Sequence, residues 1–248
     1  MARARFEGFS AGLFQFLSGL AENNSREWFD EHRRQYEADV LSVVKSFVAE
    51  LGPIMRMLND ELETEPRVGR TLSRINNDLR FNRNRPPYRP FIYVSFPRRG
   101  LKSSTEALLY AGIYRHGISI GFYAGGQSAT DPVQEGIRKN LRLFQRYLDE
   151  RRIAESYWEL AGGEEVGVTK WPLPKTARRW MNLDSLTVGE YFPASDRLLH
   201  RRSFLDRAQK ILLDLYPLWL FATSEDIKND LDLYGENAPL LARPLTKS

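Results

Sequence analysis

Apolar residues recur every three or four positions through the first sixty residues of the chain. Leu13, Phe14, Phe16, Leu17 and Leu20 form one helical stripe behind Ser10, a residue type that caps helices. A second stripe runs through Trp28, Phe29, Tyr36, Val40, Val43, Val44, Phe47, Val48 and Leu51. It predicts a long helix from Asn24 or Ser25 to about residue 51, stopped by Gly52-Pro53, with Pro53 in the first turn of another helix through residue 62. The middle of the chain has the composition of strand. Residues 91–96 are aromatic or β-branched, and residues 108–114 and 118–123 flank the turn signal Arg115-His116-Gly117, which predicts a hairpin. Asp131-Pro132 then reads as an N-cap and first helical position, opening a helix to about residue 152. After Gly162-Gly163 the pattern is irregular, with Pro172, Pro174 and Pro193 set among Trp171, Trp180 and Phe192. Residues 187–192 predict a short strand, and residues 203–223 an apolar helix that Pro217 ends or kinks. Helices, then a mainly antiparallel sheet, then further helices predict an α+β fold. No composition shift marks a linker, so a single domain over residues 1–248 is expected.

Composition narrows the chemistry. Hydrophobic residues at 42% suffice for a packed core. Cysteine is absent, which removes disulfides, thiolate metal sites and a cysteine nucleophile. His32, His116 and His200 lie far apart, so a histidine metal site needs a fold that gathers all three; no metal or cofactor is expected. Gly121 to Gly126 lacks the lysine-serine ending of a phosphate loop and reads as the end of a strand. The longest apolar stretch, 212–222, is interrupted by Asp214 and Pro217 and is too short to span a bilayer. Residues 1–8 hold no apolar run of signal-peptide length. These features predict a soluble, cytoplasmic protein with no membrane partner.

Charge changes the picture most. The formal net charge is +4, yet residues 67–99 hold nine arginines and one acid, Asp78. That segment carries +8 and the remainder −4. Concentrated charge of one sign is what attracts anions. Arginine offers a planar fork of donors suited to phosphate and carboxylate. The asparagines and prolines at 82–87 predict a loop, where binding groups often sit.

Within this segment, Arg74, Asp78, Arg80, Phe81, Asn84 and Tyr88 resemble the signature of a bacterial and fungal family known as domain of unknown function 2461. Asn77 stands where that family has arginine, and Arg85 where it has lysine. The resemblance extends to residues 9–36, through Asn23-Asn24, Arg26, Trp28-Phe29 and His32-Arg33. It continues over residues 114–138, through Gly125, Pro132 and Arg138. It is strongest over residues 6–150. It implies that the helix beginning near Ser25 packs against the arginine segment, and it implies no activity.

The candidate ligand-binding residues are therefore Arg74, Asp78, Arg80, Asn84, Arg85 and Tyr88. Asp78 shares a face with Arg80 on a strand, or with Arg74 on a helix, and can orient a guanidinium in either case. Three functions compete. The first is a binding protein for an anionic small molecule, phosphorylated partner or nucleic acid, with Phe81, Tyr88, Phe91 and Tyr93 available for stacking. The second is an enzyme on an anionic substrate, with Asp78 or His32 moving a proton. The third is a structural or protein-interaction role in which the arginines only pair internally. Arginines lining one cleft favour a small ligand; a flat basic face favours nucleic acid.

Overall fold

A computed structural model describes residues 5–80, 84–101, 106–164, 167–183 and 185–245. Phe81, Asn82 and Arg83 lie outside the described residues. The fold is α+β. Its helices are α1 (Ala11–Glu22), α2 (Arg26–Glu31), α3 (Arg33–Gln35), α4 (Ser42–Leu58), α5 (Gln127–Lys139), α6 (Leu141–Glu150), α7 (Ile153–Ser156), α8 (Ala177–Trp180), α9 (Phe204–Thr223) and α10 (Ile227–Leu241). A π-helical turn, Tyr36–Leu41, joins α3 to α4. Its strands are β1 (Phe91–Ser95), β2 (Leu108–Tyr114), β3 (Gly117–Ala124), β4 (Trp158–Ala161), β5 (Thr169–Pro172) and β6 (Leu186–Pro193). They form one six-stranded sheet in the order β1-β2-β3-β6-β4-β5, antiparallel at every junction. Among the described residues, no helix is long and apolar enough to cross a membrane.

Capping behaves as the sequence expects. The Ser10 hydroxyl accepts from the Leu13 N–H at 3.3 Å and starts α1; the Ser25 hydroxyl accepts from the Trp28 N–H at 3.1 Å and starts α2. The long second helix is not continuous, however. It breaks at His32, whose ring Nδ1 lies 2.8 Å from the Trp28 carbonyl, and the π turn follows. The stop expected at Gly52-Pro53 is also absent, because α4 runs through to Leu58. Buried Leu51, Ile54 and Met55 hold it on the core, and Gly52 lets the Thr64 carbonyl approach to where a Cβ would be only 2.8 Å away.

Pro132 and Pro217 likewise sit inside helices. α5 begins four residues before Asp131, held by buried Ala129, Val133 and Ile137 on one face, and it ends at Asn140 before α6 resumes. α9 does not end at Pro217. A proline deprives the carbonyl four residues earlier of its partner, and here that carbonyl, Leu213, accepts from the Tyr234 hydroxyl at 2.7 Å instead. α9 is apolar nearly all round because it is surrounded: it lies against β2, β3 and β6, with α4, α5 and α10 packed about it. Most of the buried apolar residues make one contiguous cluster from Phe6 to Leu241. β4, β5 and α10 have no counterpart among the expected elements.

Strand alternation assigns the two faces of the sheet. Ile92 and Val94 of β1, Leu109, Ala111 and Ile113 of β2, and Ile118, Ile120 and Phe122 of β3 join the core. The opposite face carries Tyr93 and Ser95, then Tyr110, Gly112 and Tyr114, then Ser119, Gly121 and Tyr123, with Thr187 and Gly189 of β6 beside them. Nearly every side chain on that second face is small or hydroxylated, and it forms the floor of a cleft of about 970 Å³.

Candidate binding cleft

The arginine segment is an extension of this sheet. Ser95 N–H donates to the Thr71 carbonyl at 2.9 Å, Ser73 N–H to the Tyr93 carbonyl at 2.8 Å, and Tyr93 N–H to the Ser73 hydroxyl at 2.9 Å. Residues 71–73 thus cover the outer edge of β1, which would otherwise present unpaired backbone groups. Leu72 and Ile75 are buried and anchor the segment. The chain returns through a narrow neck, where Arg89 N–H donates to the Ile75 carbonyl and Asn77 N–H to the Pro87 carbonyl. Asn77 also donates its amide to the Pro86 and Tyr88 carbonyls and accepts from Arg89 Nε at 3.0 Å. At the position where an arginine was expected, asparagine closes the neck and holds another arginine in place.

The N-terminal helices brace this neck. Asn24 donates to the Tyr88 carbonyl at 2.9 Å and accepts the Tyr88 N–H at 3.0 Å, pairing with the backbone as a strand neighbour would. The Tyr88 ring stacks on Phe29 at 4.2 Å, and the Arg33 guanidinium lies 5.2 Å from the Phe29 ring centre. A cavity of about 300 Å³ between the helices and the segment is lined by Arg33, Tyr36, Arg74 and Tyr88. The two blocks therefore meet through Arg33, whereas His32 points elsewhere, stacked on Trp28 at 4.0 Å.

The main cleft has a volume of about 970 Å³. Arg70, Arg74, Arg80 and Arg89 line it from the segment, together with Asn76, Asn77 and Asp78. Tyr93, Tyr110, Tyr114 and Ser119 form its floor. Tyr123, Leu160, Thr187 and Glu164 complete it. The chain after β4 folds back over the sheet, since Gly163 lies against the Tyr114 ring and the Tyr93 hydroxyl donates to Glu164 at 2.8 Å. Gly163 has φ +106, and a Cβ there would lie 2.7 Å from the ring, so only glycine fits.

The electrostatics of the two sides differ. Asp78 and Arg80 pair at 2.6 Å in the open, with side chains 45% and 80% exposed. Hydrogen bonds from the Arg80 side chain and backbone pull the Asp78 carboxyl down to about 2, so it is ionised at any ordinary pH. Among the described residues no carboxylate forms an ion pair with Arg70, Arg74 or Arg89. Arg98 faces away from the cleft and is bound to buried Glu106 at 3.0 Å, an acid just beyond the window that gave the local +8. On the floor, burial raises the Tyr93 and Tyr110 hydroxyls, with the nearby Tyr114 adding to both, and burial also raises Tyr114. These phenols stay neutral and act as hydrogen-bonding groups.

The cleft brings together Arg74, Asp78 and Arg80 of the expected site residues. Tyr88 is buried in the brace and shares only the smaller cavity with Arg74. Asn84 and Arg85 are exposed and line neither cavity. His116 sits in the β2–β3 turn, where its carbonyl accepts from Tyr191, and His200 bridges the Phe9 and Ala194 carbonyls. Among the described residues, no cluster of three or more acids and histidines is arranged to hold a metal.

A family profile described as "Conserved hypothetical protein (DUF2461)" matches residues 12–221. The chain belongs to the DUF2461 family. The match takes in nearly all of α1, the arginine segment, the whole sheet and nearly all of α9, so it reaches well past the first 150 residues. No curated protein and no solved structure matches the chain. Several cleft residues of this DUF2461 chain, namely Arg70, Arg89, Tyr110, Tyr114, Ser119, Tyr123 and Glu164, were not among the expected candidates. A signal existed for those on strands: Tyr110-x-Gly112-x-Tyr114 and Ser119-x-Gly121-x-Tyr123 place polar and small groups on alternate positions, opposite the core face.

Proposed function

We propose that this protein binds a small anionic ligand in the arginine-lined cleft. One observation carries this reading: Arg70, Arg74, Arg80 and Arg89 converge on a single concavity, and among the described residues only Arg80 of these four forms an ion pair with an acid. Converging guanidiniums favour phosphate or carboxylate because each can give paired, charge-assisted hydrogen bonds. A cleft of about 970 Å³ suits a small molecule better than a duplex or an extended strand. A carboxyl held at about 2 is too weakly basic to take a proton near neutrality, and His32 does not line the cleft. Asp78 is better explained as the group that orients Arg80.

Inorganic phosphate tests the reading. Titration at low ionic strength is expected to give saturable binding that weakens as salt rises. The double variant Arg70→Ala, Arg74→Ala is expected to lose about tenfold or more in affinity, since hydrogen bonds to charged groups contribute about 1.5–3 kcal/mol each. Equal affinity in wild type and variant removes the cleft as the anion site.

A further inference from the structure

The arginines occupy only part of the cleft. Cross-strand register divides the floor into rows. Tyr93, Gly112 and Ser119 share one row, Ser95, Tyr110 and Gly121 the next, and Leu108, Tyr123 and Thr187 the third. Ser73 is tied to Tyr93 and Thr71 to Ser95, so Arg74 stands beside the first row and Arg70 beside the second. Tyr123 stands four residues along β3 from Ser119, roughly 13 Å away at strand spacing. A bare phosphate cannot touch both ends.

The far end is built for a ring. Tyr110 meets Tyr123 at 6.0 Å with the rings inclined by 63°, and Tyr123 keeps 41% of its surface exposed in the cleft. Leu108 and Leu160 line the same region and exclude water from the edge of any planar group resting there. Beside the arginines, at and next to the first row, stand hydroxyls and one acid. Ser119 donates to the Tyr114 hydroxyl at 3.3 Å, and Glu164 accepts from Tyr93 through one carboxylate oxygen. An acid in an arginine-lined cleft disfavours a purely anionic ligand. It favours one that also carries hydroxyl or amino donors, as carboxylates favour ribose hydroxyls in nucleotide sites.

Resting on the anion-binding reading above, we infer that the ligand is a nucleoside phosphate. Its phosphate meets Arg70, Arg74, Arg80 and Arg89, its sugar hydroxyls meet Glu164, and its base lies on Tyr123. Tyr123 and Glu164 then set specificity, whereas the arginines supply the affinity shared by all phosphates.

Calorimetric titrations of the whole chain with AMP, ribose 5-phosphate and inorganic phosphate separate the two claims. The inference expects AMP to bind at least tenfold tighter than inorganic phosphate, with ribose 5-phosphate between them. Tyr123→Ala is expected to cost AMP about tenfold, within the range for loss of base stacking, and to leave phosphate affinity unchanged. Tyr123→Phe keeps the ring and should keep the preference for AMP; a thermal melt checks that both variants are folded. Should AMP and phosphate bind wild type equally, or Tyr123→Ala leave the preference intact, the nucleoside reading is overturned while the anion site stands. Should none of the three bind, both readings fall.

Discussion

Asp78 and Arg80 illustrate how exposure decides what an ion pair can do. The pair is short at 2.6 Å, yet both partners keep their water, so it orients a guanidinium without holding the fold together. The Asp78 carboxyl is lowered on folding, chiefly by the Arg80 side-chain hydrogen bond. A carboxyl lowered in this way favours the folded state above its ordinary value near 3.8 and loses that contribution as the pH falls toward 2. Because the pair is exposed, that contribution is small, and Asp78→Asn is expected to lower the melting temperature at neutral pH only slightly. In Arg80→Ala, carbon-detected NMR is expected to return the Asp78 titration toward 3.8. A large drop in melting temperature for Asp78→Asn contradicts the exposed geometry. Buried Tyr88 is the opposite case: it stood among the expected ligand contacts by its place in the family signature, and it serves as a packing post against Phe29.

At the scale of elements, the neck of the arginine segment depends on amides that act as backbone substitutes. Among the described residues, Asn24 alone accepts the Tyr88 N–H, and it shares the Tyr88 carbonyl with Asn77. Asn24→Ala leaves that N–H without its partner, so a cost of about 1–3 kcal/mol in a denaturant melt is expected. Phosphate affinity should fall as well, because the neck positions Arg74 and Arg89. An unchanged melt would show that water or another group takes over the Tyr88 backbone. The same scale shows why some elements were legible and others not. β1 to β3 were readable because apolar core positions alternate with Tyr, Gly and Ser over five to eight positions. β4 and β5 are four residues each, too short to show a period, and they pair only through β6 or each other. Pro53, Pro132 and Pro217 were read as boundaries by local chemistry. Burial of their neighbours overrode that, and at Pro217 the Tyr234 hydroxyl supplies the missing donor to Leu213. α10 escaped notice because its apolar stripe is thin, carried by Ile227, Leu231, Tyr234, Ala238 and Leu241, and Pro239 lies inside the helix.

On the scale of the whole molecule, the sequence located the positive charge but not the surface it faces. The arginine segment could be read because its residues are contiguous. The tyrosine floor and Glu164 come from β1, β2, β3 and the chain after β4, which only the sheet order brings together. Nor does linear charge counting show a second basic region across α6 and α8. Gln145 ties the two by donating to the Lys175 carbonyl and accepting the Ala177 N–H, and Arg142, Arg178 and Arg179 are exposed there. The arginine-lined cleft does not reach that region, and the ligand is assigned to the cleft. A crystal of the full chain soaked in tungstate, an electron-dense mimic of phosphate, compares the two regions directly. The account predicts an anomalous peak inside the cleft within hydrogen-bonding distance of at least two of Arg70, Arg74, Arg80 and Arg89. Tungstate ordered on the α6–α8 face with none in the cleft would contradict it.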